Sequence, residues 1–195
     1  MSNPIPIDRT LSHALKEWAV AVAALTAGKT ILLLRKGGIR ERQGRFEVEF
    51  DRVLLYPTYE HPKPHLLQPE YAPQVTPVES GWHPQTVLLQ AWARITHVWQ
   101  VSDPEIVSTL EPYHIWNDRF VAERLHWKPQ QPLYLLLLRV YRLAETMEIP
   151  YRPEYGGCRS WIEIADAIAA MEHFPALTDS DYTHKVDRLR EICHG

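Results

Sequence analysis

The chain has 195 residues, of which 45% are hydrophobic and 23% are charged, and its formal net charge at pH 7 is -3. These values are ordinary for a globular protein, so the chain can bury a sizeable core without disulfides or metals. The slightly acidic charge argues against wholesale wrapping of nucleic acid, but it leaves room for a local basic patch.

Two cysteines, Cys158 and Cys193, lie far apart in the chain. An isolated pair of this kind indicates reduced thiols rather than a disulfide framework or a zinc site. The first residues contain no basic segment followed by an apolar run, so no signal peptide is predicted. No stretch reaches the roughly 18 to 20 apolar residues that span a bilayer. We therefore expect a cytoplasmic protein that has no membrane partner.

The first predicted element is a helix over residues 10–27, because apolar residues recur there at spacings of three and four and Gly28 can end it. Three strands are predicted next, over residues 31–35, 46–50 and 53–56. The first of them is apolar throughout and is expected to be central, whereas the second alternates apolar and acidic residues.

The middle of the chain is rich in proline and then strongly alternating. Residues 57–84 contain seven prolines together with aromatic and apolar residues, which predicts an ordered surface excursion of the kind that often carries function. Residues 86–101 alternate for long enough to predict a long, bent strand. Ser102 and Glu105 form a capping box, so a short helix is expected to Leu110.

The remaining elements complete an α+β chain. A helix is predicted over residues 115–125, a central strand over 133–141, and two helices over 160–171 and 181–192. The fold class is therefore α+β: a mixed or antiparallel curved sheet, with a small pseudo-barrel as one arrangement, an N-terminal helix, two central helices and C-terminal helices. We expect the main domain to be residues 1–150, including the excursion, and a C-terminal helical appendage to be 151–195.

The most informative stretch is residues 35–45, a basic connection that contains glycines. Five cations and one carboxylate give it a local charge of +4. Glycine amides can approach an anion closely, and arginine can hold a phosphate through two parallel hydrogen bonds. The alternative is a solvated hairpin whose glycines serve only turn geometry. The candidate anion- or nucleic-acid-binding residues are Arg35, Lys36, Gly37, Gly38, Arg40, Arg42 and Arg45.

A second candidate group, Tyr59 and His61, follows the strand predicted over 53–56. Tyr59 can stack on a base, and His61 can donate to a phosphate or act as an acid or base. The alternative is a proline turn with a structural tyrosine. Pro62 and Pro64 prevent the helix that would align His61 and His65 as metal ligands, so neither a metal nor a cofactor is predicted.

The patterns of several enzyme classes do not occur in the chain. It has no Walker loop, no dinucleotide fingerprint, no Glu-x-Lys or Asp-x-Lys of restriction-type nucleases, and no Gly-x-Ser-x-Gly elbow. Asn117 and Arg119 could face a ligand, although helix capping explains these polar residues more simply. The sequence therefore favours a protein without catalytic activity.

Several motifs resemble a bacterial family of unknown function, the one numbered 1802 among such domains. They include Trp18-Ala19-Val20, Lys36-Gly37-Gly38-Ile39 and Tyr56-Pro57-Thr58, and the resemblance extends through His114-Ile115-Trp116 and Leu137-Leu138-Arg139-Val140-Tyr141, over about residues 10–145. The family has no established activity. Its occasional fusion to a restriction-endonuclease-like domain implies a link to restriction or other DNA-processing systems, and without such a nuclease part the resemblance implies only a non-catalytic role. The order of elements is similar, more loosely, to small barrels of the RNA-binding pseudouridine-synthase-associated type.

Three functions follow as expectations. The leading one is a cytosolic α+β protein that binds nucleic acid or a phosphorylated ligand, with phosphate at the basic connection and Tyr59 and His61 lining the pocket. The second is an enzyme on a small substrate that uses His61 as acid or base. The third is a protein-interaction module that uses the 57–84 excursion and the C-terminal helices. The choice between DNA and RNA and the state of self-association stay open.

Overall fold

The structure is a computed structural model that describes residues 5–6, 10–36, 39–42, 45–59, 63–79, 81–126, 132–157, 159–168 and 172–194, with side chains except at 5–6, 39–42, 45–47 and 166–168. The strands are β1 (Ile5–Pro6), β2 (Leu11–Trp18), β3 (Leu32–Arg35), β4 (Ile39–Arg42), β5 (Arg45–Val48), β6 (Arg52–Thr58), β7 (Thr86–Val101), β8 (Leu133–Pro150), β9 (Trp161–Ile168) and β10 (Glu172–Pro175). The helices are α1 (Ala19–Thr26), α2 (Pro104–Thr109), α3 (Asp118–His126) and α4 (Asp179–His194).

Eight of the described strands form one mixed sheet. Seven follow the order β1-β10-β8-β7-β6-β2-β9, and β3 pairs with β8 off this path. The β2–β6 pair is parallel, whereas the other pairs in the sheet are antiparallel. Two register shifts interrupt the long β7–β8 ladder, and such bulges bend a sheet. The α+β class with a mixed sheet is confirmed, but the described strands leave the sheet open instead of closing a pseudo-barrel.

The basic connection contains a hairpin of its own. The strands β4 and β5 pair with each other as a separate two-stranded sheet, whereas β3 pairs with β8. The predicted strand over 31–35 is therefore confirmed, but it is not the first arm of a hairpin with the strand at 46–50. The strands predicted over 53–56, 86–101 and 133–141 are confirmed as β6, β7 and β8.

The helix predicted over residues 10–27 is wrong in its first half. Residues 11–18 form strand β2, and only Ala19–Thr26 is helical. Ala14 and Leu15 are both fully buried, because the two faces of β2 pack into two different apolar clusters. A strand that is buried on both faces lacks the alternation that distinguishes it from a helix.

The helix predicted over residues 160–171 is also wrong. Trp161–Ile168 forms strand β9, which pairs with β2, and Glu172–Pro175 forms strand β10, which pairs with β8. Residues 151–195 are therefore not a helical appendage, because α4 is the one α-helix in the described part of this range and the strands β9 and β10 belong to the large sheet. Ile162 and Ile164 are buried while Glu163 is exposed, which is the alternation of a strand.

The other predicted helices are present. The helices α2, α3 and α4 lie where the sequence predicts helices over 102–110, 115–125 and 181–192. The N-cap of α2 is Asp103 instead of the predicted Ser102, because the Asp103 carboxylate accepts a hydrogen bond from the Glu105 N–H at 2.8 Å. No helix among the described residues is long and apolar enough to cross a membrane.

The described part of the proline-rich excursion packs against the main core. Leu66, Leu67 and Tyr71 are buried there, which confirms that the excursion is ordered over 63–79. The Gln68 side-chain amide donates to the carbonyl oxygens of Glu111, His114 and Trp116 at 2.7 to 3.2 Å. These bonds fasten the excursion to the segment that precedes α3.

Candidate functional site

The carboxyl ends of β2 and β6 lie side by side. Their parallel register pairs Lys16 with Tyr56, Glu17 with Pro57 and Trp18 with Thr58. Because successive side chains of a strand point to opposite faces, Lys16 and Glu17 reach opposite sides of the sheet. The ends of β2 and β6 therefore contribute residues to two separate surfaces, one charged and one aromatic.

On the charged side, a buried carboxylate pairs with one of the predicted anion-binding residues. Arg35 Nη1 lies 2.7 Å from Glu17 Oε2, and the two side chains are 14% and 9% exposed. Arg35 also donates to the Lys16 carbonyl at 3.3 Å, and Glu17 Oε1 accepts from the Trp18 N–H at 3.0 Å. The carboxylate thus holds Arg35 at the end of β2.

Two further cations surround this pair. Arg124 on α3 is half-buried, and its guanidinium lies 4.9 Å from the centroid of the Phe120 ring. Burial lowers the pKa of Arg124, and the charge of Glu17 opposes that effect while the charge of Arg35 adds to it. Lys36 is buried and donates to the Leu125 carbonyl at 3.1 Å, and burial lowers the pKa of its ammonium.

A cleft of about 340 Å³ opens beside these charges. We name it the cationic cleft, and it is lined by Lys63, Leu66, Phe120, Glu123 and Arg124. Glu123 Oε1 lies 3.4 Å from Arg119 Nε, so a salt bridge on α3 engages this carboxylate. The lining of the cationic cleft therefore combines two cations, one carboxylate and two apolar side chains.

On the other side of the sheet lies a narrow aromatic cleft of about 30 Å³. The Tyr59 and Trp82 rings meet edge to face at 5.9 Å, and the His83 and Tyr151 rings stack at 3.8 Å with an interplanar angle of 11°. Trp82 is 43% exposed. The residues that line this aromatic cleft are Lys16, Tyr56, Pro57, Thr58, Tyr59, Trp82, His83, Pro84, Val87, Tyr151, Tyr155 and Gly156.

The polar groups of the aromatic cleft are held in place by hydrogen bonds. Lys16 Nζ donates to the carbonyl oxygens of Tyr155 at 2.5 Å and Gly157 at 2.8 Å. The Thr58 hydroxyl donates to the Glu17 carbonyl at 3.1 Å, which joins the ends of β2 and β6. Burial raises the pKa of the Tyr56 phenol.

The predicted site residues are distributed over these surfaces and beyond them. Arg35 and Lys36 bind Glu17 and the Leu125 carbonyl and do not line the cationic cleft, whereas Tyr59 lines the aromatic cleft. The backbone of Arg40, Arg42 and Arg45 lies in the β4–β5 hairpin, and their side chains lie outside the described residues. Gly37, Gly38 and His61 also lie outside the described residues, so the enzyme alternative, which depends on His61, stays a prediction.

Sequence reasoning did not select Glu17, Arg124, Lys63 or Trp82 as site residues. Glu17 lies within the segment that was mistaken for a helix, and Arg124 is separated from Arg35 by almost half the chain. Lys63 and Trp82 belong to the proline-rich excursion. The prediction that this excursion is ordered and carries function could have indicated them as site residues. Among the described residues, no group of three or more His, Cys, Asp or Glu side chains could hold a metal ion.

Comparisons with known proteins identify a family and two similar structures. The model of the family described as "Domain of unknown function (DUF1802)" matches residues 14–188. No curated protein matches the chain. The crystal structure of ASCH from Zymomonas mobilis is 13% identical, covers 91% of this chain and 94% of its own, and has a TM-score of 0.46. A serine-to-alanine mutant of that protein is 14% identical, covers 95% and 99%, and has a TM-score of 0.44. These two likenesses assign neither a ligand nor an activity.

Proposed function

We propose that this chain, which belongs to the DUF1802 family of domains of unknown function, is a non-catalytic cytoplasmic protein that binds nucleic-acid phosphates in the cationic cleft. The family description supplies no activity, so the proposal rests on the chemistry of the cleft. Guanidinium and ammonium groups around a solvent-accessible cleft are the side chains that bind phosphate.

The observation that carries the proposal is the excess of cations around one buried carboxylate. Arg35 and Arg124 both lie within electrostatic reach of Glu17, and Lys36 donates to the residue that follows Arg124. Lys63 adds an exposed ammonium at the mouth. The described charges near the cleft are therefore mostly positive in a chain whose net charge is -3. Such a local excess attracts a polyanion.

Two carboxylates lie near the cleft, and each of them is engaged by an arginine. Glu17 is buried against Arg35, and Glu123 lies 3.4 Å from Arg119. Arg35 and Lys36 are turned towards the protein interior, so their charges act on the ligand from behind, while Lys63 and Arg124 make the direct contacts. This assignment changes the predicted roles of Arg35 and Lys36 from ligand contacts to electrostatic support.

The basic hairpin extends the proposal to a longer ligand. Arg40, Arg42 and Arg45 are concentrated in β4 and β5, and a cationic hairpin can follow a phosphate backbone. We propose that these three residues add contacts when the ligand is an oligonucleotide. Gly37, Gly38 and His61 remain candidates from the sequence for the same role.

The test is a salt titration of oligonucleotide binding. Fluorescence anisotropy of a labelled strand is measured from about 50 to about 200 mM salt for the wild type and for the Lys63→Gln and Arg124→Gln variants. Each lost contact to a single strand should reduce the slope of log affinity against log salt by about 0.7. Lys63 is exposed, so its variant tests the cleft even where Arg124→Gln disturbs the packing of α3.

Arg190→Gln is the matched control. Arg190 is 51% exposed, pairs with Asp187 on α4 and does not line the cationic cleft. It removes the same net charge as Arg124→Gln, so its slope should stay close to that of the wild type. Equal slopes for all the variants would mean that phosphate binds elsewhere or not at all.

The link to restriction or other DNA-processing systems is the proposed biological setting. In that setting the ligand is DNA, so we expect a DNA strand to bind at least as tightly as an RNA strand of the same sequence and length. The comparison uses the same anisotropy assay at one salt concentration. A clear preference for RNA would contradict the DNA-processing role but not the proposal that the cationic cleft binds phosphate.

A further inference from the structure

We infer that the aromatic cleft is a stacking platform for an unpaired nucleobase, so that the ligand is single-stranded nucleic acid. The inference rests on the proposed function. It places the base of a ligand in the aromatic cleft and a phosphate of the same ligand in the cationic cleft, on the other side of the end of β2.

The first support is a group of aromatic rings at the surface. Trp82 is 43% exposed, and Tyr59, Tyr151 and His83 lie beside it with at least part of each side chain in solvent. Tryptophan and tyrosine supply flat apolar surface with few rotatable bonds, which is why they are common in binding sites. Stacking on such rings tolerates any base, since every base has a π-face.

The second support is the shape of the cleft. The cleft is narrow, since the space in it that is open to a water-sized group is only about 30 Å³. The Tyr59 ring meets the Trp82 ring at 88°, so Tyr59 contacts Trp82 edge to face and does not cover it by stacking. A base can therefore lie flat on Trp82 and place only its edge in the cleft.

The third support is the charge of the cleft. No carboxylate is found among the described residues that line it, and its cation is Lys16, whose ammonium is held by the Tyr155 and Gly157 carbonyls. A methylated ammonium ion also binds aromatic rings, but the Lys16 ammonium would repel it. A neutral, planar base attached to an anionic backbone suits these groups.

The position of the two clefts joins the base to the phosphate. Lys16 lines the aromatic cleft, and its neighbour Glu17 holds Arg35 behind the cationic cleft. The two clefts therefore lie on opposite sides of the end of β2. A single strand that passes this end can place a base on one side and a phosphate on the other, whereas a duplex keeps its base faces stacked inside.

The experiment compares two strands that have the same phosphates. Anisotropy is measured with an oligothymidylate of about 12 nucleotides and with an abasic strand of equal length. The wild type should bind oligothymidylate about 5- to 150-fold more tightly than the abasic strand, which is the range of one stacked base. Trp82→Ala should lower the affinity for oligothymidylate to the abasic level without changing the affinity for the abasic strand, and Trp82→Phe should restore part of the difference.

Leu88→Ala is the matched control, because Leu88 is 47% exposed and does not line the aromatic cleft. It should change neither affinity. The inference of a stacking platform is wrong if the wild type binds both strands equally, or if Trp82→Ala weakens the binding of both strands by the same factor. It is also wrong if a trimethyllysine peptide binds through Trp82. If both strands bind equally and the salt slope still depends on Lys63, the proposal that the cationic cleft binds phosphate would still hold. Absence of binding to either strand would instead overturn the proposed function itself.

Discussion

The end of β2 and the segment 114–117 before α3 both bury a titratable side chain, but they hold it in opposite ways. Glu17 is 9% exposed and forms an ion pair with Arg35, and its second oxygen accepts the Trp18 N–H. His114 is 3% exposed, and neither of its ring nitrogens has a hydrogen-bond partner among the described residues. One region therefore buries a charge that has an ion-pair partner, and the other buries a ring that has no ion-pair partner among the described residues.

The difference separates a site from a packing contact. Burying a paired charge is costly, and ionisable groups in such surroundings are common at functional sites. The Glu17 carboxylate holds Arg35 within electrostatic reach of Arg124, although it offsets one positive charge there. Burial lowers the pKa of His114 to about 4, with only partial opposition from the Trp116 backbone and Asp118, so this ring packs as a neutral group.

The largest expected effect comes from breaking the ion pair. Glu17→Gln keeps the size of the side chain but leaves the Arg35 guanidinium buried without its counter-charge. Removing one partner of a buried pair typically costs about 3 to 5 kcal/mol of the free energy of unfolding. Urea-induced unfolding followed by circular dichroism measures this loss.

Asp187→Asn provides the comparison for that value. Asp187 pairs with Arg190 at 2.7 Å, and both side chains are 51% exposed. Breaking an exposed pair should cost less than about 1 kcal/mol. If the two substitutions cost the same, the Glu17–Arg35 pair behaves like a surface pair and does not organise the cleft.

The next effect is the pH dependence that His114 produces. Its pKa of about 4 in the folded protein lies below the ordinary 6.5, so the unfolded chain binds a proton that the native state excludes between these values. The contribution of His114 to stability is therefore complete above about pH 6.5 and is lost as the pH falls towards 4, by about 3 kcal/mol in total. Urea unfolding at a series of pH values records this loss.

His114→Phe isolates the contribution of this ring from that of the other titrating groups. It should retain stability at pH 7, because an apolar ring replaces one without hydrogen bonds, and it should lose the excess pH dependence. His184→Phe, at an exposed position on α4, should leave the pH dependence of the wild type unchanged. Equal pH profiles for the wild type and His114→Phe would show that His114 is already charged, or hydrogen-bonded, in the native state.

The strands that the sequence predicts well have a one-sided or fully apolar pattern. In β7 the buried Val87, Leu89 and Ala91 share one parity, and in β8 the run from Leu135 to Leu138 is buried without interruption. The β2 strand was missed because a spacing of four, as between Leu11 and Leu15, fits a helix and a strand equally well. Only the second core, on the other face of the sheet, resolves the ambiguity, and that core is a property of the tertiary structure.

The candidate site could be predicted only in part for the same reason. The local charge of the basic connection identified Arg35 and Lys36, and the aromatic residue after β6 identified Tyr59. The sequence could not give their partners, because Glu17 lies 18 residues from Arg35 and Leu125 lies 89 residues from Lys36. The ligand-binding roles of all the predicted site residues remain predictions, namely those of Arg35, Lys36, Gly37, Gly38, Arg40, Arg42, Arg45, Tyr59 and His61.

The last of the stability effects concerns Asn117, which follows His114 closely in the chain. Unlike the His114 ring, the Asn117 amide makes hydrogen bonds through both its nitrogen and its oxygen. Its Nδ2 donates to the His65 and Leu67 carbonyls at 2.9 and 3.0 Å, and its Oδ1 accepts the Phe120 N–H at 3.2 Å as the cap of α3. Asn117→Ala should cost about 2 kcal/mol, about half from the cap and half from the carbonyl oxygens left without donors.

Asn117→Asp separates these two parts, because a carboxylate can still cap α3 but cannot donate to the loop. It should therefore recover about half of the loss in urea unfolding. Leu66 and Phe120, which Asn117 ties together through the neighbouring backbone, both line the cationic cleft. Asn117→Ala should then also weaken oligonucleotide binding, and Asn117→Asp should weaken it further by adding a negative charge beside the cleft. A stability loss with no change in binding would mean that the cleft does not depend on this link, and that Lys63 and Arg124 keep their positions independently of the loop.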